Sequence, residues 1–357
     1  MKIMQICAYA APYEGNFIKS LKYLNNDLQK FGYETIYVFP ETAKTIEWCK
    51  HLEKTNIVYY LPLARARIKI KTYIMLKNIF NNHPDIKIAH SHFELYDIPL
   101  TMVAPKNVKV FWHLHDAISN YKDLKNKTIH KIQYCFLQKN SFLLSVSEKH
   151  MEYVNSLGFS PERSLFLPNG LDINRINKVT KPYEKRMYDF VIFGWDYERK
   201  GVDLCIKSLN LISNRYKTAI IASEDSKKII LNNHNNLKNI EIVDPVEDVN
   251  CIFNEAKCFL HISRAEGLSY ALLEALYAGL NVICSDIAEN QFAIQFPTVH
   301  MVESENVDMI SEAMKRIILL NYHESNTVEM VRSIIEEKYS TKAWAKRVKK
   351  EYGIYDD

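Results

Sequence analysis

Short apolar runs rich in β-branched residues alternate with longer segments of helical period along nearly the whole chain. This alternation is typical of parallel sheets covered by helices. The first helical segment spans residues 16–32, where Leu21 and Leu28 share one apolar face and Gly32 is a common helix stop. In the first half the pattern predicts strands at Lys2–Tyr9, Glu34–Pro40, Ile57–Leu61, Ile86–His92, Val108–His115, Phe142–Ser147 and Leu165–Pro168.

The alternation restarts after a polar, proline-marked stretch at residues 169–187. The economical interpretation is an α/β protein of two doubly wound, Rossmann-like domains. We expect a first domain at 1–168, a hinge at 169–188, a second domain at 189–338 and, at 339–357, a helix that crosses back to the first domain. The second half predicts strands at Asp189–Trp195, Lys217–Ser223, Ile240–Pro245, Cys258–Ser263, Asn281–Ser285 and His300–Val302.

Composition narrows this picture. The length of 357 residues suits two domains of ~150 residues each. A net charge of +4 is too small to indicate a nucleic-acid binder. The seven cysteines form no CxxC pair, so we expect buried, reduced thiols. The sequence offers neither an apolar run of ~20 residues nor a signal-peptide pattern at its start, which predicts a cytoplasmic location.

The segment at residues 263–279, SRAEGLSYALLEALYAG, is the strongest local signal for chemistry. It follows a buried strand and opens a helix at Ser269, so the amides at 268–270 (Leu268, Ser269, Tyr270) should be free to meet a phosphate. Gly267 lets the backbone approach a ligand. Glu266 and Glu274 are separated by seven residues, and Glu274 lies in a helix that is apolar nearly all round, where a carboxylate needs a partner. Alternatively, Glu266 caps the helix and Glu274 is solvated.

This segment resembles the E-x7-E motif of retaining glycosyltransferases of the GT-B fold, specifically family 4. Further segments agree with the resemblance: residues 166–172 (FLPNGLD), 145–159 (SVSEKHMEYVNSLGF), 189–209 (DFVIFGWDYERKGVDLCIKSL) and 281–291 (NVICSDIAENQ). The resemblance implies a GT-B architecture, in which two facing doubly wound domains leave a cleft for the ligand. Open sheets of this kind bind ligands at the carboxyl ends of their strands.

In what the resemblance implies, cations after Gly194 stabilise the diphosphate that leaves. Lys200 matches the family's lysine, and Arg199 adds a second charge. The residue after Gly194, usually Arg in the family, is Trp195, so either Arg199 replaces that guanidinium or fewer charges hold the diphosphate. Taken alone, the Arg-Lys pair is also explained as a solvated pair before a helix.

The loop at residues 9–21 offers a second phosphate contact, because amides near Gly15 and Asn16 lie at a helix terminus. The family often has two adjacent glycines where this chain has only Gly15. A plain strand-to-helix turn is the alternative. Tyr13, in the same loop, is assigned to the acceptor side.

Histidines end two neighbouring predicted strands, His90 and His92 on one and His113 and His115 on the other. Each pair alternates with period 2 and so points to one face. A zinc site is conceivable on these grounds. The resemblance favours another interpretation, in which His115, followed by Asp116, contacts the donor sugar while His92 lines the acceptor side; His90 and His113 are then core or supporting histidines.

Residues 61–80 combine basic side chains with aliphatic ones. Such a segment is how a protein without a membrane span would contact the inner membrane face, where many family relatives meet lipid-linked acceptors. A solvated helix with a basic face is the alternative. The basic residues are Arg65, Arg67, Lys69, Lys71 and Lys77.

The resemblance predicts a retaining glycosyltransferase that uses a UDP- or GDP-sugar as co-substrate, with no cofactor and, because no D-x-D segment occurs, no metal. The acceptor would be a glycan, a lipid-linked molecule or a protein in polysaccharide or glycoconjugate synthesis. Two alternatives stay open: a non-catalytic subunit of a glycosylation complex, and a nucleotide-sugar 2-epimerase. The expected catalytic residues are His115, Lys200 and Glu266; the expected donor-binding residues are Gly15, Asn16, Gly194, Arg199, Lys200, Gly267, Leu268, Ser269, Tyr270 and Glu274.

Overall fold

The computed structural model of the chain describes residues 1–115, 124–212, 216–234, 237–319 and 325–355. The chain forms two compact units. The first comprises Met1–Gly170 together with Thr341–Asp357, and the second comprises Leu171–Ser340. The polypeptide therefore leaves the first unit once, after Gly170, and returns to it for its last helix.

The first unit contains a parallel sheet with helices on both faces. Its described strands are β1 (Lys2–Cys7), β2 (Glu34–Pro40), β3 (Ile57–Leu61), β4 (Ile86–His92), β5 (Lys109–Leu114), β6 (Phe142–Ser145) and β7 (Ser164–Phe166), in the spatial order β3-β2-β1-β4-β5-β6-β7. Its described helices are α1 (Gly15–Gln29), α2 (Glu47–Glu53), α3 (Ile70–Asn82), α4 (Asp97–Val103), α5 (Leu124–Phe136), α6 (Glu148–Ser156) and, after the second unit, α13 (Thr341–Tyr352).

The second unit repeats this plan. Its described strands are β8 (Tyr188–Phe193), β9 (Thr218–Ile221), β10 (Ile240–Val243), β11 (Ala256–His261), β12 (Asn281–Ser285) and β13 (Val299–Val302), in the spatial order β10-β9-β8-β11-β12-β13. Its described helices are α7 (Val202–Leu211), α8 (Glu224–Asn233), α9 (Asn250–Phe253), α10 (Tyr270–Ala278), α11 (Val307–Leu319) and α12 (Ser325–Tyr339).

Burial explains why the strands read as nearly continuous apolar runs. A parallel sheet covered on both faces hides the side chains of both faces, and β1 is buried from Ile3 through Cys7. One face of the first sheet packs against α1, α2 and α13 through residues such as Leu21, Trp48 and Trp344. The other face packs against α3 to α6, with Leu76 and Val154 in its core.

The predicted α/β fold with two parallel sheets is confirmed. Every predicted strand is present, and the structure mainly shortens them: the first ends at Cys7 instead of Tyr9, and the fifth runs Lys109–Leu114. Helix α1 begins one residue before the predicted segment, and Gly32 adopts the left-handed backbone (φ +74°) expected of a helix stop. No helix in the described part of the chain has the length and hydropathy needed to cross a bilayer.

Candidate active site

Glu266 is the centre of a charged cluster at the carboxyl end of β11. Only 5% of the residue is exposed. Lys200 Nζ lies 2.5 Å from its Oε1, and Arg199 Nη1 lies 3.4 Å from its Oε2. Burial alone would raise the pKa of Glu266, but Lys200, His261 and Arg199 together lower it to about 2. The carboxylate is therefore ionised at neutral pH, and two cations surround one anion.

The backbone of the loop between β8 and α7 brings Lys200 to this point. Gly201 has a left-handed backbone (φ +62°), and a Cβ there would lie 2.0 Å from the carbonyl oxygen of Ile262. Only glycine fits this contact between the two loops. The amide of Arg264 donates to the carbonyl of Arg199 over 2.8 Å, which ties the β11 loop to the cation loop.

Trp195, which belongs to the same loop as Lys200, lies close to that lysine. Lys200 Nζ is 5.8 Å from the Trp195 ring centroid, within the range of a cation–π contact, and 43% of the tryptophan is exposed. The guanidinium of Arg199 bonds Asp196 (Nε to Oδ2, 3.0 Å) as well as Glu266. The residue that departs from the family pattern thus supplies an aromatic face beside the lysine instead of a charge.

Helix α10 starts directly after Glu266. Its first helical residue is Tyr270 and Ser269 is the N-cap, whose hydroxyl accepts the amide of Leu272 at 3.4 Å. The predicted start of the helix at Ser269 is therefore correct to within one residue. Gly267 and Leu268 form the turn before it. The amides of a helix's first turn have no partner within the helix, which makes this end suited to an anion.

Glu274 lies inside α10 with 5% of its surface exposed. Arg175 Nη1 donates to its Oε1 over 2.9 Å. The buried carboxylate thus has a charged partner, as its apolar surroundings require. Arg175 was not among the predicted site residues; the signal available in the sequence was only that Glu274 needed a cation, without an indication of which one.

His261 and Arg264 are two further residues of this region that the sequence did not single out. His261 Nε2 lies 3.8 Å from Glu266 Oε1, and burial lowers the pKa of this imidazole to about 4. Arg264 Nη1 lies 2.7 Å from Asp203 Oδ1 and so fastens the β11 loop to the start of α7. Both residues support the position of Glu266.

In the first unit, the four predicted histidines lie together at the carboxyl ends of β4 and β5. The ring of His115 is bonded on both sides, with Nδ1 3.0 Å from Asn169 Oδ1 and Nε2 3.1 Å from His92 Nδ1. Burial lowers the pKa of His115 to about 3. His92 is completely buried and contacts His115 through its Nδ1, and its place on the acceptor side stays a prediction. Asp116 lies outside the described residues.

The zinc alternative can be tested on the ring geometry. Nitrogens of His90, His92 and His113 lie within 4.8 Å of one another. However, the ring of His90 is nearly parallel to those of His92 and His113, at 24° and 14°. The nitrogen lone pairs of parallel rings lie in parallel planes and do not point at one common position. Zinc needs ligand nitrogens that all point at the ion, each about 2.0–2.1 Å from it. Both nitrogens of His92 are also in hydrogen bonds, so the cluster does not fit a zinc site.

The loop before α1 is organised around Tyr9. Its hydroxyl donates to the carbonyl of Tyr13 at 3.0 Å, and a Cβ on Gly15, which has φ +57°, would lie 3.2 Å from that hydroxyl oxygen. Asn16 is buried at the helix start, whereas Tyr13 is 60% exposed. Gly194 directly follows β8, and a Cβ there would lie 2.7 Å from Val202 Cγ2. The structure thus places these predicted residues at strand ends and helix starts.

Comparison with known proteins decides the family. The model of "Glycosyltransferase Family 4" matches residues 19–175, and that of "Glycosyl transferases group 1" matches residues 188–319. The chain belongs to the family 4 glycosyltransferases. It is 23% identical over 349 residues to the capsular polysaccharide biosynthesis glycosyltransferase CapH of Staphylococcus aureus, covering 90% of this chain and 93% of CapH.

Solved structures of glycosyltransferases share the fold of this family 4 member. Anabaena Alr3699/HepE in complex with UDP superposes with a TM-score of 0.82 over 99% of this chain and 100% of that chain, at 11% identity. WaaG, a glycosyltransferase involved in lipopolysaccharide biosynthesis, gives a TM-score of 0.72 over 97% and 99%, at 14% identity. The predicted GT-B type is thereby confirmed for this chain.

Proposed function

We propose that this family 4 glycosyltransferase moves a sugar, with retention of configuration and without a metal, from a UDP- or GDP-sugar to an acceptor used in cell-surface polysaccharide or glycoconjugate synthesis. The observation that carries the proposal is the pair of cations, Lys200 and Arg199, held on the buried carboxylate of Glu266. Expelling a nucleoside diphosphate builds negative charge, and prepositioned cations stabilise that charge without reorganisation.

The predicted donor residues near Glu266 each have a part in this proposal. Lys200, Arg199 and the amides at 268–270 hold the diphosphate, and Gly267 leaves room for it. Glu274 binds the ribose and Glu266 the hydroxyls of the transferred sugar. His115 contacts the sugar, which requires that one of its two present hydrogen bonds be exchanged for a bond to the donor.

The chemistry needs no carboxylate pair acting as acid and nucleophile, unlike that of most glycoside hydrolases. The acceptor attacks from the face that the diphosphate leaves, and the departing phosphate takes the proton of the attacking hydroxyl. UDP in the complex of Alr3699/HepE supports a uridine donor, and the name of CapH supports a polysaccharide acceptor.

The test is release of UDP or GDP from a panel of nucleotide sugars. We expect turnover with one donor and a loss of roughly 100-fold or more in Lys200→Ala and Glu274→Ala, by analogy with removal of a charge-stabilising donor group. Lys207→Ala is the matched control, because Lys207 is 58% exposed on α7. Absence of binding by any donor in calorimetry would overturn the proposal.

The same assay separates the two alternatives. A non-catalytic subunit would bind a partner or glycan without turning over any donor. A 2-epimerase would convert the nucleotide sugar to its epimer in the absence of an acceptor. Lys200, Glu266 and Glu274 are all present and buried, which favours the transferase.

We also propose that residues 61–80 contact the cytoplasmic face of a membrane. Three isoleucines of this segment are exposed in the structure, Ile68 by 74%, Ile70 by 75% and Ile74 by 54%. Basic residues flank them, so apolar insertion and attraction to anionic headgroups would act together.

Co-sedimentation with vesicles tests this contact. We expect binding to vesicles with anionic lipid, weaker binding to neutral ones, and a marked loss in the double variant Ile68→Ser/Ile70→Ser. Leu231→Ser, which removes a 55% exposed leucine from the second unit, should bind like the wild type. Equal binding by all variants, or no dependence on lipid, would remove the membrane proposal.

A further inference from the structure

A continuous chain of hydrogen bonds connects His115 to the C-terminal helix within the first unit. It runs through the ends of three strands and reaches Tyr352, the last residue of α13. The successive bonds are Asn169 Oδ1 to His115 Nδ1 (3.0 Å), His115 Nε2 to His92 Nδ1 (3.1 Å), His92 Nε2 to Gln5 Oε1 (3.0 Å), Gln5 Nε2 to the Tyr352 hydroxyl (2.9 Å) and that hydroxyl to His90 Nδ1 (2.6 Å).

The interior of this chain is shielded from water. His90 and His92 have no exposed surface, Gln5 has 1% and Tyr352 has 4%. Burial lowers the pKa values of His90 and His92 far below the ordinary range, and that of His115 to about 3. All three imidazoles are therefore neutral near pH 7, so each ring has one N–H donor and one acceptor nitrogen.

Counting protons restricts how the two central rings can be arranged. Three bonds lie between the amides of Asn169 and Gln5, but the neutral rings of His115 and His92 supply only two N–H groups. The third donor must be the NH₂ group of one amide, so either Asn169 or Gln5 has its amide oxygen and nitrogen exchanged relative to the oxygen contacts given above. If Gln5 supplies it, both rings are protonated on Nδ1; if Asn169 supplies it, both are protonated on Nε2. His92 and His115 thus always carry the proton on the same kind of nitrogen.

Tyr352 takes part in this choice because its hydroxyl has a single hydrogen. When the amide nitrogen of Gln5 faces Tyr352, the hydroxyl accepts that bond and donates to His90. When the amide oxygen faces it, the hydroxyl donates to Gln5 and accepts from His90. The direction of one O–H bond and the protonated nitrogens of His92 and His115 therefore change together.

We propose that Gln5, His92 and Tyr352 are positioning residues that hold His115 in a single tautomer, with Tyr352 as the outer end of the chain. A donor sugar that meets His115 would then always find the same nitrogen protonated. The coupling between the tautomers of His92 and His115 follows from the geometry, whereas the effect of that coupling on glycosyl transfer rests on the proposed function of His115.

Packing holds the ring of His115 independently of this chain. The rings of Phe93 and Phe17 lie 4.5 Å and 5.5 Å from it, centroid to centroid. Removing the Tyr352 hydroxyl should therefore leave the His115 ring in the same position, while its tautomer is no longer fixed. The tautomer of His115 can therefore be measured separately from the position of its ring. A purely structural role of Tyr352 would not change that tautomer.

The test is the ¹⁵N chemical shifts of the histidine side chains in the full-length protein without ligand, assigned with His92→Gln and His115→Gln. In the wild type we expect one tautomer, the same for His92 and His115. In Tyr352→Phe, Gln5 is free to turn, and His115 should change tautomer or become a mixture. Tyr355→Phe is the matched control, because Tyr355 is 66% exposed in the same terminal segment and should leave both shifts unchanged.

Two results would overturn the proposal: different tautomers at His92 and His115 in the wild type, or unchanged ¹⁵N shifts in Tyr352→Phe. If Tyr352→Phe does not fold, Gln5→Met cuts the chain next to His92 and must give the same mixture. Turnover supplies the second reading: we expect kcat to fall roughly fivefold in Tyr352→Phe, the loss of about one hydrogen bond, with KM changed by less than about twofold.

The ¹⁵N shifts and the turnover measurement test the proposal independently of each other. A change of tautomer in Tyr352→Phe with unchanged kcat would refute the positioning role while leaving glycosyl transfer intact. If the wild type turns over no donor, the proposed function fails, and the ¹⁵N shifts still decide whether Tyr352 sets the tautomer of His115.

Discussion

Lys200 and Glu266 form an ion pair whose side chains are only 7% and 6% exposed. Removing two charges from water offsets much of their mutual attraction. The opposing effects are visible in the pKa values, because burial lowers the pKa of Lys200 although Glu266 acts to raise it. Such a pair contributes little net stability, which agrees with the proposed role of both residues in donor binding.

Removing one partner should be far more harmful than removing both. Lys200→Met leaves the Glu266 carboxylate buried without its nearest cation, and we expect a loss of about 3 kcal/mol in the free energy of unfolding. The double variant Lys200→Met/Glu266→Leu should recover most of that loss. Urea unfolding measures both, with Lys207→Met on the exposed face of α7 as control. A double variant as unstable as the single one would contradict this account.

The same pair gives a signed pH dependence. The pKa of Glu266 is lowered from 4.5 to about 2 in the folded state. The stability that this carboxylate contributes is therefore complete above about pH 4.5 and is lost as the pH falls towards 2. In Lys200→Met the folded pKa rises again and this loss disappears, so the stability advantage of the wild type over the variant should shrink as the pH falls from about 4.5 towards 2, measured by urea unfolding at each pH. An advantage that stays constant over this range would argue against the lowered pKa.

At the level of elements, helix α13 shows how a terminal segment becomes part of a distant domain. Lys349 is 2% exposed and lies 2.6 Å from Asp27 Oδ2, which joins α13 to α1. Burial by itself would raise the pKa of Asp27, but hydrogen bonds from Lys349 and Lys30 lower it. The apolar side of α13, including Trp344, is in the same core as α1. Packing and one charge pair together fasten the helix.

Loss of the Lys349 charge should loosen this attachment. We expect Lys349→Met to lower the free energy of unfolding by about 2 kcal/mol, because it leaves Asp27 partly buried beside an apolar side chain. Lys350→Met removes the adjacent, exposed lysine and should change stability by less than about 0.5 kcal/mol. Hydrogen exchange of the α13 amides provides the local measurement; equal protection in both variants would show that the ion pair does not hold the helix.

The sequence predicted the positions of the strands and helices more accurately than it predicted contacts between side chains. The strands of both sheets fall where short β-branched runs predicted them, and α10 starts within one residue of its predicted position. These features are encoded by neighbouring residues, through apolar periodicity and caps. Strand ends were less accurate, because the last pair of a ladder depends on the neighbouring strand and not on the strand's own composition.

For the whole molecule, the two units have the same plan, a parallel sheet between helices, and the functional candidates of each unit lie where strands end. The charged cluster of Glu266 follows β11 in the second unit, and the histidine cluster follows β4 and β5 in the first. This agrees with the general rule for open α/β sheets. The structure therefore has these candidate residues at the same sheet edges at which the sequence predicted them.

The sequence by itself determined the fold type, the order of elements and the residue types available for donor chemistry, because periodicity and turn residues act over a few positions. Only the tertiary structure decided which side chains meet. Arg175 bonds Glu274 across 99 positions, and Tyr352 bonds His90 across 262. It also placed His92 in a fully buried position in contact with His115. Such pairings arise because packing two faces of a sheet brings together residues whose local patterns contain no information about each other.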